Sequence, residues 1–330
     1  ASVPAMGVLG WALRLPADSC HERSEGRLQV MPVPTYLGES KPWGNVGEMS
    51  NRGIELDMNY RYSIGDFNFS IGANATYIKT ILINAGNETG ILDGGSFHQM
   101  GTITRGQNGM VYPYFYGYKT DGVFQNWDEV NSYVGADGSL IQPSAQPGDF
   151  RYKDLDGDGK ITAEGDRTNL GKCVPAWTYG VNASIDWKGI DFSMVWQGVA
   201  GNKIFDGTRR TDIPTMNQPK YVLNRWTGEG STNAYPRFTT TDPNQNWSKA
   251  SDFFIKDASY FRLKNITLGY TLPYNWTKKV FVKKLRVYVA AENLLTLTKY
   301  DGFDPEIAGY MDRGIYPQAR TFQFGASITF

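Results

Sequence analysis

No run of about 18 consecutive apolar residues occurs in this 330-residue chain, so no segment reads as a transmembrane helix. Histidine is nearly absent: only His21 and His98 occur, which argues against a His-based metal or catalytic centre. Two cysteines, Cys20 and Cys173, are too few for a disulfide framework, and the sequence does not decide whether they pair. There is no G-x-S-x-G elbow, no phosphate loop and no H-E-x-x-H, so no catalytic constellation is visible and the chain reads as a non-enzyme. An excess of either charge is missing too. The 33 Lys and Arg balance 33 Asp and Glu, and nothing points to a nucleic-acid partner. Aromatic residues, by contrast, are plentiful, with 20 Tyr and 17 Phe. That load suits either aromatic girdles or a carbohydrate-handling surface.

The apolar residues alternate. From Thr321 to Phe330, Phe322, Phe324, Ala326, Ile328 and Phe330 share one face, and Thr321, Gln323, Gly325, Ser327 and Thr329 share the other. A strand has a side-chain period of two, so this is one apolar face and one small, polar face. Ile54 to Tyr62, Phe67 to Tyr77, Trp177 to Trp187 and Ile190 to Gly198 repeat the pattern. Each is close to the 9–11 residues or so that a tilted strand needs to cross a bilayer. Trp177 and Trp187, at the two ends of one segment, fit two interfacial girdles. A soluble β-sandwich or a lipocalin-like barrel also alternates, but its polar face carries ordinary surface charge. Here that face is rich in Asn, Ser, Thr and Gly, with Asp57, Asn59, Asn74, Asn182 and Asp191 placed to line a water-filled lumen.

Two further strands are phase-shifted. Ser259 to Leu272 places Phe261 and Leu263 outward, then Ile266, Leu268 and Tyr270, so a bulge is expected at Asn265. Leu285 to Thr298 slips near Asn293. An eighth strand is expected to end near Val30 to Val33. Short connections (Ser63 to Asp66, Trp187 to Gly189, Asn275 to Lys283) alternate with long ones (Leu82 to Pro175, Gly201 to Ala258, Tyr300 to Ile315). That asymmetry is expected of an outer-membrane barrel with periplasmic turns and extracellular loops, and it places the C-terminus in the periplasm. The expected fold class is therefore all-β, an antiparallel transmembrane β-barrel with long extracellular loops. Seven or eight strands leave open edges that cannot face lipid, so the chain is expected to be a C-terminal piece of something larger or to need partners for closure.

Asp154–Leu155–Asp156–Gly157–Asp158–Gly159–Lys160–Ile161 has carboxylates at positions 1, 3 and 5, Gly at 6 and an apolar residue at 8, as in an EF-hand calcium loop. Asp154, Asp156 and Asp158 are candidate side-chain ligands for Ca²⁺, Lys160 a carbonyl ligand, and Asp166 a substitute for the missing acidic residue at the end of the loop. No helical pattern flanks it, so its expected role is to stiffen a long extracellular loop. An acidic turn held by Asx hydrogen bonds is the plainer alternative. Tyr112, Tyr114, Tyr116, Tyr118 and Trp127 crowd the same loop. They are candidates for stacking on a substrate, or else for packing the loop against itself.

Several motifs resemble one family. Asn51 to Glu55 ("NRGIE"), Phe115 to Gln125 ("FYGYKTDGVFQ"), Pro147 to Thr162 ("PGDFRYKDLDGDGKIT"), Tyr260 to Pro273, Leu285 to Glu306 and Gly314 to Phe330 occur in the order found in TonB-dependent outer-membrane transporters of the SusC/RagA type. The resemblance covers about residues 31–330. It implies the last third of a 22-stranded barrel that imports an oligosaccharide or peptide through the outer membrane of a Gram-negative bacterium. It also implies a SusD-like surface lipoprotein as lid, and the TonB–ExbB–ExbD complex as energy source, acting through an N-terminal part outside this chain. Receptors for siderophores or cobalamin, and a calcium-binding β-sandwich adhesin, are the alternatives. Residues 29–330 are expected to be barrel without a plug domain. Residues 1–28 do not resemble the family and are expected to be foreign to it or disordered. They do not read as a signal peptide, because their apolar run is short and no basic segment precedes it.

Overall fold

The period-two segments form the strands that their pattern calls for. The computed structural model describes residues 2–3, 13–30, 43–210 and 217–330. Eight long strands dominate: β1 (Ala17–Val30), β2 (Trp43–Ile64), β3 (Phe67–Asn84), β4 (Trp177–Trp187), β5 (Ile190–Ala200), β6 (Tyr260–Thr271), β7 (Lys284–Thr298) and β8 (Thr321–Thr329). Each pairs antiparallel with the next. Two short pieces, Ser2–Val3 and Leu13–Arg14, pair with β1 and β2 and complete a ten-stranded sheet. Among the described residues β8 does not meet β1, so the sheet is open at both edges. Residues 17–28, set apart by the sequence, belong to this sheet as most of β1. Ala1, residues 4–12 and Met31 to Val33 lie outside the described residues.

The register carries one apolar face across the sheet. Ile54 opposes Tyr77, which opposes Trp177; Tyr62 opposes Phe69, which opposes Ile185. Further along, Phe192 opposes Leu268, Leu268 opposes Val289, and Val289 opposes Phe324. Leu56, Leu268, Val287, Val289, Phe322 and Phe324 are all exposed. An apolar surface of this breadth does not face water in a folded protein. The opposite face pairs Asp57 with Asn74, Ser70 with Ser184 and Ser193 with Thr267. A β-sandwich packs such an apolar face against a second sheet, and here nothing among the described residues covers it.

β2 and β3 run on past the bilayer. Their 22 and 18 residues exceed the 9–11 or so that span it. Beyond Tyr77 the inner side of β3 turns apolar, with Ile78 and then the fully buried Leu82. The strand does not end where its polar–apolar phase changes; its surroundings change there instead. Leu82 packs with Met49 and Ala85 against Leu92 and Tyr112 of the first long connection.

The long connections fold into a cap with its own core. Strands Ile91–Asp93, Thr104–Gln107, Tyr114–Tyr118 and Arg167–Lys172 make a four-stranded sheet. Lys203–Asp206, from the second connection, pairs with Ile255–Asp257 and, in parallel, with Met311–Asp312 of the third. Phe97, Ile103, Phe115, Phe205, Trp247 and Phe254 form the largest buried cluster, drawn from the first two connections.

Candidate functional site

The inner face of the sheet is built from amides laid over bare backbone. A Cβ on Gly72 would sit 2.2 Å from Asn182 Oδ1 and 3.1 Å from Asn59 Oδ1, and one on Gly180 would sit 3.0 Å from Asn74 Oδ1. Glycine at these positions lets the Asn side chains lie flat along the wall. Asn59 Nδ2 donates to Asp57 Oδ1. Toward the short turns, Arg286 donates to both oxygens of Asp191, from Nε at 2.9 Å and from Nη2 at 2.5 Å. Asp66, Asp186, Lys188 and Lys284 line the same mouth.

At the cap end, Arg262 binds the third connection to the wall. Its Nη2 lies 2.6 Å from Asp304 Oδ1 and its Nη1 2.8 Å from Glu306 Oε2, and Lys264 Nζ reaches Glu306 at 2.7 Å. Burial would raise the Asp304 carboxyl. Hydrogen bonds from the Gln318 N–H and the Arg262 guanidinium outweigh that and hold it below the ordinary carboxylate value.

The acidic loop is closely organised. Carboxylate oxygens of Asp154, Asp156 and Asp158 converge to within 4.8 Å of one another. Asp154 accepts the N–H of Gly157 at 2.6 Å and of Gly159 at 2.9 Å; Asp158 accepts that of Lys160 at 2.9 Å. Gly157 and Gly159 take φ of 76° and 81°, a left-handed backbone that favours glycine. Asp166 is fully buried and accepts the N–H groups of Leu155 and Thr162, each at 2.6 Å. It therefore clamps both ends of the loop, and it stands outside the cluster of three. Lys160 contributes its N–H. The donor set of three carboxylates is hard oxygen and suits Ca²⁺.

No family model matches the chain. TonB-dependent receptor P3 of Formosa agariphila is 30% identical over 337 residues, covering 96% of this chain and 32% of the relative. TonB-dependent receptor SusC of Bacteroides thetaiotaomicron is 26% identical over 327 residues, covering 95% of this chain and 30% of the relative. The chain thus spans about a third of the length of these curated relatives. Among solved structures, the RagAB peptide importer in its closed-closed state superposes with a TM-score of 0.76 at 23% identity, over 99% of this chain and 34% of that one. That likeness shows the fold. Over nearly its whole length the chain is similar to a part of these TonB-dependent receptors. Its long strands have the fold of the antiparallel wall in such a receptor's β-barrel.

Within this receptor cap the five aromatic candidates separate. Tyr114, Tyr116 and Tyr118 lie on one strand whose five residues are all buried. The Tyr116 ring packs with two guanidinium groups, Arg105 at 3.6 Å and Arg167 at 4.4 Å from its centroid. Tyr118 packs on Tyr152 at 5.6 Å. Tyr112 lies against the Met49–Leu82 cluster. Trp127, which opens the short helix α1 (Trp127–Ser132), is set apart at the surface, 56% exposed.

Sequence reasoning missed the junction between the first two connections. Fully buried Asp149 takes hydrogen bonds from Arg237, 88 residues away, at 2.5 and 3.1 Å, and from Asn246 at 2.8 Å. Gln142 donates to Asn244 at 2.9 Å. Lys249 Nζ lies 5.3 Å from the Tyr118 ring centroid and 4.8 Å from that of Tyr152, and burial lowers its pKa. No local motif announces such pairings.

Proposed function

We propose that the complete transporter imports glycan fragments or peptides across the outer membrane, with this chain supplying part of its wall and of its outer cap. The observation that carries the reading is the register: from β2 to β8 the strands keep the apolar residues on one exposed face and Asn, Ser, Thr and Asp on the other. Such a wall separates lipid from a polar path. In this reading the short turns and Phe330 are periplasmic and the cap is extracellular, where a SusD-like lipoprotein closes over it. Coupling to TonB–ExbB–ExbD runs through parts of the receptor beyond this chain. Ca²⁺ at Asp154, Asp156 and Asp158 stiffens the cap, with Asp166 holding the loop in shape. Trp127 is the exposed ring of the aromatic set, available to a ligand or to the lid.

The test is a clean deletion of the complete gene in the source bacterium, grown on single glycans and on defined peptides. Growth on one of these classes should be lost, and loss of TonB should reproduce the defect. A strain defective only in ferric-siderophore or cobalamin uptake would overturn the nutrient reading in favour of those ligands.

A further inference from the structure

We infer that the turn joining β6 to β7 is a binding surface for anionic phospholipid headgroups at the short-turn edge of the membrane. The inference depends on the wall lying in a bilayer and not on what the transporter carries. Between Ala258 and Ala291 the sequence has no Asp or Glu, yet Lys278, Lys279, Lys283 and Lys284 cluster in the turn. The turn is ordered by its backbone. Leu272 N–H donates to Leu285, Val282 N–H to Thr277 and Lys283 N–H to Thr329, and the Thr277 side chain is buried. This frame holds Tyr274, Trp276, Val280 and Phe281 outward. Phe281 adopts a φ of 60° and is 90% exposed.

Two observations say what covers this apolar surface. First, it continues the lipid-facing band, whose outward residues at this end are Tyr270, Val287 and Ile328. Lys283, the residue before β7, falls by parity on the Leu285 side and so belongs to the outer face. Second, the charge is of one sign. Trp and Tyr settle at the headgroup level, and lysine stems lie along apolar surface with their ammonium groups in the phosphate layer. The other tight turns at this end carry Asp66 and Asp186, and these line the lumen mouth together with Lys284. Lys284 therefore faces inward, and the surface comprises Tyr274, Trp276, Lys278, Lys279, Val280, Phe281 and Lys283.

The experiment uses the full-length transporter in detergent, titrated with phosphatidylglycerol or phosphatidylcholine, with bound lipid counted by native mass spectrometry. Wild type should prefer phosphatidylglycerol. The triple variant Lys278→Gln, Lys279→Gln, Lys283→Gln should lose about tenfold or more of that preference. Its heat-modifiable migration should be kept, as should that of each single variant. Trp276→Ala with Phe281→Ala should weaken both lipids. Lys119→Gln with Lys153→Gln in the cap should change neither. An unchanged preference in the folded triple variant would overturn the inference. So would a loss reproduced by Lys284→Gln alone, which would put the lipid at the lumen mouth, or capture of a periplasmic protein on this turn in place of lipid.

Discussion

Gly165 has no room for a β-carbon: one built there would lie 2.0 Å from Asp156 Oδ2. Gly165→Ala must therefore displace the middle carboxylate of the acidic cluster. In the complete transporter we expect Gly165→Ala and Asp156→Asn each to weaken Ca²⁺ or Tb³⁺ binding by about tenfold or more, read by terbium luminescence. Equal affinity in both variants would leave the loop as an acidic turn. Asp304 makes a different forecast. Its folded pKa is depressed, so its pairing stabilises the fold above the ordinary carboxylate pKa of about 4, and that contribution disappears as pH falls through the lower folded value. Hydrogen exchange in residues 300–315 should therefore rise in acid, below about pH 4. Arg262→Met, which strands a buried carboxylate, should cost about 3–5 kcal/mol and raise the same exchange at neutral pH. No change at residues 300–315 would show that the ion pair does not hold this connection.

β6 shows how much of an element its own sequence specifies. Outward positions shift from Phe261 and Leu263 to Ile266 and Leu268, so one residue must drop out of the pairing. The phase change pointed to Asn265. In the structure Asn265 still pairs with Val195 and Glu292, and the residue passed over is its neighbour Lys264. On β7 the matching slip falls at Asn293, whose φ is 52°. Strand faces and tight turns are legible because they are local. The Lys188–Gly189 turn, with φ of 47° and 87°, has both central residues in the left-handed region that a two-residue hairpin favours. The overrun of β2 and β3 was not legible, because beyond Tyr77 the facing residues belong to a distant connection. Deleting Lys264 from the complete transporter should remove the bulge and leave one unbroken alternation of Phe261, Leu263, Ile266 and Leu268, with Arg262 still on the inner face. The heat-modifiable band should then be kept. A variant that lost that band would mean that the wall needs the extra residue itself and not only the alternation.

The molecule combines a wall that depends on neighbours with a cap that supplies its own core. The cap was invisible to sequence reasoning because its contacts are long-range. Thr120 bonds Asp252 across 132 residues, and Asp149 bonds Arg237 across 88. Tyr114, Tyr116 and Tyr118, which the sequence offered either for stacking on a substrate or for packing the loop, share one interior strand of that cap. The wall is the reverse case. Its faces are plain in the sequence, but at its edges β8 and β1 lack long-strand partners among the described residues. Every backbone N–H and C=O left unpaired in hydrocarbon costs several kcal/mol, and the nine residues of β8 present such a row along the membrane. Expressed alone with an outer-membrane export signal, the chain should therefore fail to give a heat-modifiable, protease-resistant barrel. Co-expression with a polypeptide covering the rest of the receptor should restore one, because the missing strands then pair with both edges. A water-soluble monomer of this chain with a cooperative melt would overturn the barrel reading altogether, since that state has to hide the outward row of Leu268, Val289 and Phe324 without lipid.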